Sequence, residues 1–164
     1  MTETITPAFL KTLAFLAPAT EDELRLLMPA AQVEQYPAGT SVFREGDHLS
    51  HIFIVTTGTV ALEISGPDYR PRRIQTVGPG ELLGWSPLLG TGAMTAGARA
   101  TTQVRVVAID AKALLEVCEA DPRFGYQFMR RTAVAIAARL NATRLQLLDV
   151  YGTELPHAVV GGRR

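Results

Sequence analysis

The sequence predicts a mainly β fold with flanking helices: a small roll of antiparallel strands, then a long helix that pairs the chain with a second copy. Three observations carry this prediction. Short β-prone runs alternate with glycine-punctuated turns from Val33 to Ile109. A helical pattern opens at Asp121-Pro122 and continues to about Tyr151. Along that helix, apolar residues recur at seven-residue spacing, which marks helix-to-helix packing.

The 164 residues fit one domain, and 47% apolar residues with 20% charged ones supply an ordinary globular core. Sixteen basic residues balance sixteen acidic ones, so the chain lacks the basic surplus of a nucleic-acid-binding domain. The single cysteine, Cys118, excludes an intrachain disulfide or a four-cysteine metal site and reads as a buried small hydrophobe. There is no signal-peptide pattern and no apolar run of membrane-spanning length, so a cytoplasmic protein without membrane contact is expected.

Residues 1–30 read as N-terminal helices. Phe9, Leu10, Leu13 and Leu16 give Thr6–Phe15 one apolar side. Thr20 with Glu23 three residues on is a capping-box pattern, and Leu24, Leu27 and Met28 follow as an apolar face until Pro29 interrupts it. The roll then occupies residues 31–110. Its strands are expected at Val33–Tyr36, Ser41–Arg44, His51–Val55, Thr59–Ile64, Arg72–Val77 and Val104–Ile109, with Gly39, Gly46, Gly58, Gly66 and Gly78 in the turns between them.

Residues 111–151 form the C-terminal helices. Asp110 caps the first, which runs to Glu119. Asp121 caps the second, with Pro122 at its first position and Gly152 at its end. Tyr126, Ala133, Leu140 and Leu147 make one row of its seam, and Met129, Ile136, Thr143 and Val150 the companion row. The face pairs with a second copy, packs on the chain's own roll, or does both. Residues 152–164 read as a tail.

The chemistry concentrates in residues 78–101. Gly78-Pro79-Gly80-Glu81-Leu82-Leu83-Gly84 follows a strand and leads into a short helical piece. A glycine-rich turn at a helix start offers free backbone N–H groups to a phosphate, and a neighbouring carboxylate accepts hydrogen bonds from sugar hydroxyls. Trp85 reads either as a ring over a base or as a core residue. Catalysis is not indicated: Ser41, Ser50, Ser65 and Ser86 lack a nucleophile-elbow context, and His48, His51 and His157 share no metal-ligand spacing.

In order along the chain stand Pro37-Ala38-Gly39, Val42-Phe43-Arg44-Glu45-Gly46-Asp47, Ile52–Val60, Gly78–Gly84, Ala98-Arg99-Ala100-Thr101 and Arg139–Thr143. This series, from about Leu24 to Tyr151, resembles the cyclic nucleotide-binding domain of the catabolite-activator (Crp/Fnr-like) regulators. The resemblance implies a double-stranded β-helix, a jelly-roll-like β-roll, with a long dimerisation helix. It implies a cassette in which Gly80, Glu81, Leu82, Leu83 and Gly84 face the ligand, with Glu81 on a ribose 2′-hydroxyl. It also brings Arg139 and Thr143 toward the nucleotide from the helix.

One departure stands out. The family's cassette carries an Arg about ten residues after the Glu, paired with the cyclic phosphate. Its counterpart falls near Met94, with Thr95 beside it, and no Arg or Lys lies between Glu81 and Arg99. Losing one partner of a buried charge pair costs roughly 2–5 kcal/mol, or about 30- to several-thousand-fold in affinity. Arg99 compensates only by turning inward from its strand.

No cofactor is assigned, and cAMP or cGMP is the candidate ligand. The expected partner is a second copy, with a protein partner as the alternative. Thirteen residues after Tyr151 leave no room for a helix-turn-helix, so direct DNA binding is not expected. Three readings stand: a small-molecule receptor with weak or altered nucleotide specificity, a degenerate ligand-independent module, and a fragment of a transcription regulator.

Overall fold

A computed structural model describes residues 4–151; the predicted tail, 152–164, lies outside them. Helix α1 (Pro7–Lys11) starts at Thr6, whose hydroxyl accepts the Phe9 N–H. It is shorter than the predicted Thr6–Phe15. The Thr12 hydroxyl bonds back to the Phe9 carbonyl, and Leu13, Leu16 and Ala19 close successive tight turns ahead of and across Pro18. Helix α2 (Glu21–Leu27) carries the full capping box between Thr20 and Glu23. At Pro29 it tightens into a 3₁₀ turn over Met28–Ala30.

The roll consists of β1 (Ala31–Tyr36), β2 (Ser41–Phe43), β3 (His51–Thr57), β4 (Val60–Ser65), β5 (Pro71–Val77), β6 (Leu82–Leu83), β7 (Gly97–Ala100) and β8 (Val104–Asp110). Two four-stranded antiparallel sheets form, ordered β1-β8-β3-β6 and β2-β7-β4-β5. The short helix α3 (Ser86–Leu89) sits between β6 and β7. Helices α4 (Ala111–Ala120) and α5 (Pro122–Tyr151) follow β8. Asp110 caps α4 through the Ala113 N–H, and Asp121 accepts the Arg123 N–H where α5 begins.

The first sheet is buried on both faces, which explains why β3 and β8 read as nearly continuous apolar runs. Side chains alternate across a strand. Phe53, Val55, Leu83, Val104, Val106 and Ala108 point between the sheets, against Phe43, Val60, Leu62, Val77 and Ala98. Ile52, Ile54, Leu82, Val107 and Ile109 point the other way, under the helices, against Leu10, Leu16, Leu24, Leu114, Phe124 and Phe128. Phe15 and Phe124 each tilt against Phe128, with ring centroids 5.6 and 6.0 Å away. Cys118 belongs to this second core. Burial, helped by Glu23 and Glu119, pushes its thiol up to about 11, so little reactive thiolate exists at neutral pH.

The path of α5 is set at its first turn. Gly125 lies so close to α4 that a Cβ there would meet the Cys118 carbonyl oxygen at 2.5 Å and its carbon at 3.1 Å. Those atoms are backbone and cannot swing aside. Gly125→Ala therefore pushes α5 off α4, and overpacking of this kind costs about 1–3 kcal/mol. We expect a correspondingly lower denaturant midpoint with an unchanged slope.

Candidate functional site

The cassette begins where β5 ends. The turn Gly78-Pro79-Gly80 bends back so that Gly80 N–H donates to the Val55 carbonyl at 2.8 Å, and Val55 N–H donates to the Glu81 carbonyl at 3.0 Å. Gly80 holds φ at +84°, a conformation glycine adopts without strain. Glu81 turns its carboxylate onto its own loop, accepting the Gly78 N–H at 2.6 Å. The N–H groups of Gly78, Gly80 and Glu81 are therefore occupied, the last by the Gly78 carbonyl at 3.2 Å. The turn does not run straight into a helix either. β6, Gly84 and Trp85 intervene, and α3 is a four-residue piece with Pro87 in its first turn. This corrects the expectation of free turn N–H groups at a helix start.

β6 is too short to read as a strand, yet it anchors the cassette. Leu82 and Leu83 pair with Ile54 and Phe53 of β3 and are fully buried, one in each core. Gly84 follows at φ +69°, where a Cβ would come within 2.9 Å of Leu49. From here the chain crosses α3 and returns through Met94. Met94 N–H donates to the Asp47 carbonyl at 2.8 Å, and Gly46 N–H donates to the Met94 carbonyl at 2.7 Å. The Met94 thioether accepts the Ser86 hydroxyl at 3.2 Å. Met94, the expected counterpart of the phosphate-pairing Arg, thus offers a neutral, weakly accepting sulfur.

Two cavities flank α5. The first, of about 370 Å³, lies between the roll, the cassette and the helix. It brings together Gly84, Met94 and Thr95 of the cassette with Arg139 and Thr143 of α5. Phe43, Leu62, Ile74, Trp85 and Ile136 make most of the remaining wall. The second, of about 430 Å³, collects Gly80, Glu81 and Leu82 with Phe15, Arg130, Arg131 and again Arg139. The candidate residues therefore divide. Leu83 lies in the core between the sheets. Arg99 stands apart from both cavities, its Nε donating to Glu63 at 3.1 Å and its Nη1 to the Gly39 carbonyl at 3.1 Å.

Arg139 joins the two cavities. Its guanidinium donates to the Leu82 carbonyl and lies 4.3 Å above the centre of the Trp85 ring, a cation–π contact. Burial pushes its pKa down to about 10, partly offset by the charge of Glu81. The Thr143 hydroxyl donates to the Arg139 carbonyl at 3.0 Å and so follows the helix one turn further along the cavity. Trp85 is a wall of the cavity as well as a partner of the helical core. Gln75, which lines both cavities, has no sequence signal: it is a polar residue in a strand whose neighbours read as solvent-facing.

The two predicted seam rows do not separate cleanly on α5. Ile136 and Thr143 of one row and Leu140 of the other line the cavity. Tyr126, Leu140, Leu147 and Val150 remain 64%, 50%, 52% and 69% exposed. Among the described residues no cluster of His, Cys, Asp and Glu could hold a metal ion, and no helix is long and apolar enough to cross a membrane.

The structure is thus a two-sheet roll with a cassette and a long helix that share a cavity. Residues 33–121, more than half of the chain, match the cyclic nucleotide-binding domain family, and the chain belongs to it. It is 30% identical over 128 residues to the CRP-like cAMP-activated global transcriptional regulator of Mycobacterium tuberculosis, covering 78% of this chain and 55% of that one. The chain thus spans about half the length of that relative. Among solved structures it is similar to the Thermus thermophilus catabolite activator protein, with 26% identity and a TM-score of 0.65 over 85% of this chain and 63% of that one. It also matches a Geobacter metallireducens protein assigned provisionally to cyclic nucleotide binding, with 30% identity and a TM-score of 0.70 over 83% of this chain and 98% of that one.

The placement of Arg99 gives a testable separation of roles. Its pair with Glu63 is partly exposed, so Arg99→Ala is expected to cost about 1 kcal/mol of stability. Trp85 emission, which reports on the cavity wall, should stay unchanged in the folded variant.

Proposed function

We propose that this module senses a small molecule in the cavity beneath the cassette, and that its response to cyclic nucleotides is weak or altered because the cassette cation is absent. The observation that carries this reading is the shared cavity. Any occupant touches the cassette at Gly84, Met94 and Thr95 and α5 at Arg139 and Thr143, so binding energy is delivered to the helix itself. A ligand that binds one arrangement of these elements better than another shifts the population between them. The exposed apolar side chains Tyr126, Leu140, Leu147 and Val150, drawn from both rows, support α5 as the element that pairs with a second copy and carries the signal outward. The equal numbers of basic and acidic residues favour reading a small molecule over gripping a nucleic-acid backbone. The role is regulatory rather than catalytic, and the soluble, membrane-free setting of the cytoplasm suits it.

One observation favours a second reading. Glu81 is turned onto Gly78 and Met94 onto Ser86, so the Glu81 carboxylate and the Ser86 hydroxyl already have partners within the cassette. A ligand-independent module that only pairs with itself or with another protein fits that arrangement.

Thermal unfolding with and without millimolar cAMP, cGMP and AMP separates the two. Stabilisation follows the ratio of ligand to Kd. The sensing reading predicts at most a small upward shift for the unmodified chain. For Met94→Arg it predicts a clearly larger shift with cAMP or cGMP, corresponding to at least about a tenfold gain in affinity. If Met94→Arg folds normally and gains nothing, the missing cassette cation is not what limits the response to cyclic nucleotides, and the nucleotide part of the reading fails.

A further inference from the structure

We infer that the ligand of the cassette cavity is a largely apolar organic acid with one negative charge, its carboxylate held by Arg139, and not a cyclic phosphodiester seated on the cassette. This rests on the reading of that cavity as a ligand site.

The charge of the wall is the first argument. Of the side chains that line the cavity, only Arg139 is ionised. A single cation, reached from the helix, matches one anionic head group. That cation comes from α5 and not from the cassette.

The incomplete bonding of Arg139 is the second. A guanidinium presents a planar fork of N–H donors that suits a carboxylate with two parallel bonds. Among the described residues its one hydrogen-bond acceptor is the Leu82 carbonyl, and the Trp85 ring covers its face. The nearest opposing charge, Glu81, is engaged by the Gly78 N–H and lines the neighbouring cavity. A desolvated cation with donors to spare is unfavourable until an anion arrives. The lowered pKa of Arg139 has the same physical origin.

The body of the cavity is the third. Phe43, Leu62, Ile74, Met94, Ile136 and the ring of Trp85 make most of the wall, and Gln75, Thr91 and Thr95 add neutral polar groups to it. The Ser86 hydroxyl is held by Met94 and the Thr143 hydroxyl by the Arg139 carbonyl. Against so much carbon and sulfur an alkyl or aromatic body gains from burial. The volume of about 370 Å³ stands near the lower end of small-molecule sites, roughly 300–1,000 Å³.

The chain has one tryptophan, Trp85, and it lines this cavity and not the neighbouring one, so its emission reports on the right site. The test is a Trp85 fluorescence titration of the purified chain with octanoate, octan-1-ol and cAMP. Octanoate is expected to bind at least about tenfold more tightly than either of the others. Arg139→Gln should remove most of that preference and leave octanol binding within about threefold, and Arg139→Lys, which keeps the charge without the fork, should restore part of it. Should Arg139→Gln fail to fold, Arg139→Lys alone must weaken octanoate severalfold. The inference is overturned if cAMP binds more tightly than octanoate, or if octanoate binding ignores both Arg139 variants. Silence of Trp85 toward all three probes would overturn the ligand-site reading itself, and this inference with it.

Discussion

A single guanidinium ties the long helix to the cassette. Arg139 reaches from the middle of α5 to the carbonyl of Leu82 and lies over the ring of Trp85. Leu82 is fixed in turn by its pairing with β3 and by its place in the helical core. The helix, the cassette and the first sheet are thereby linked, and Arg139 lines both cavities beside α5. Beyond Thr132, the last buried side chain of α5 among the described residues, Arg139 adds a hydrogen bond to the packing of Ala135 on the helical core.

The same contact explains why the site is electrostatically one-sided. A cassette that carries its own cation can neutralise a phosphate from the roll side. Here that side presents the Met94 thioether and the Ser86 hydroxyl, paired with each other. Positive charge enters from the helix alone. Ligand charge and helix position are therefore coupled: an anion that completes the bonding of Arg139 acts directly on the residue that locates α5. Reciprocity follows, since whatever changes the packing of α5 also changes the affinity of the cavity.

Much of the architecture was legible because burial imposes periodicity. β3 and β8 announced themselves through runs such as Ile52–Val55 and Val106–Ile109, apolar at every position because both faces are covered. The capping residues Thr20, Asp110 and Asp121 marked three helix starts through chemistry that is local in sequence. What escaped was short or distant. β6 has two residues and no period to read. The early end of α1 depends on tight turns that its amphipathic pattern did not reveal. Arg99 finds Glu63 thirty-six residues away on the adjacent strand, a pairing only the sheet register creates. The turning of Glu81 onto Gly78, and its separation from the cavity that holds Met94 and Thr95, is a side-chain choice that a motif does not specify. The seven-residue rows were visible, but their division between cavity and exterior is set by where the roll lies beneath α5.

The central claim is that this cavity accepts negative charge at the helix and not at the cassette. A crystal of the chain soaked in bromide, with anomalous scattering recorded at the bromine edge, tests it most directly. The account predicts a bromide inside the cassette cavity against the Arg139 guanidinium and none beside Met94. A bromide seated between Ser86, Met94 and Thr95, with none at Arg139, would contradict it.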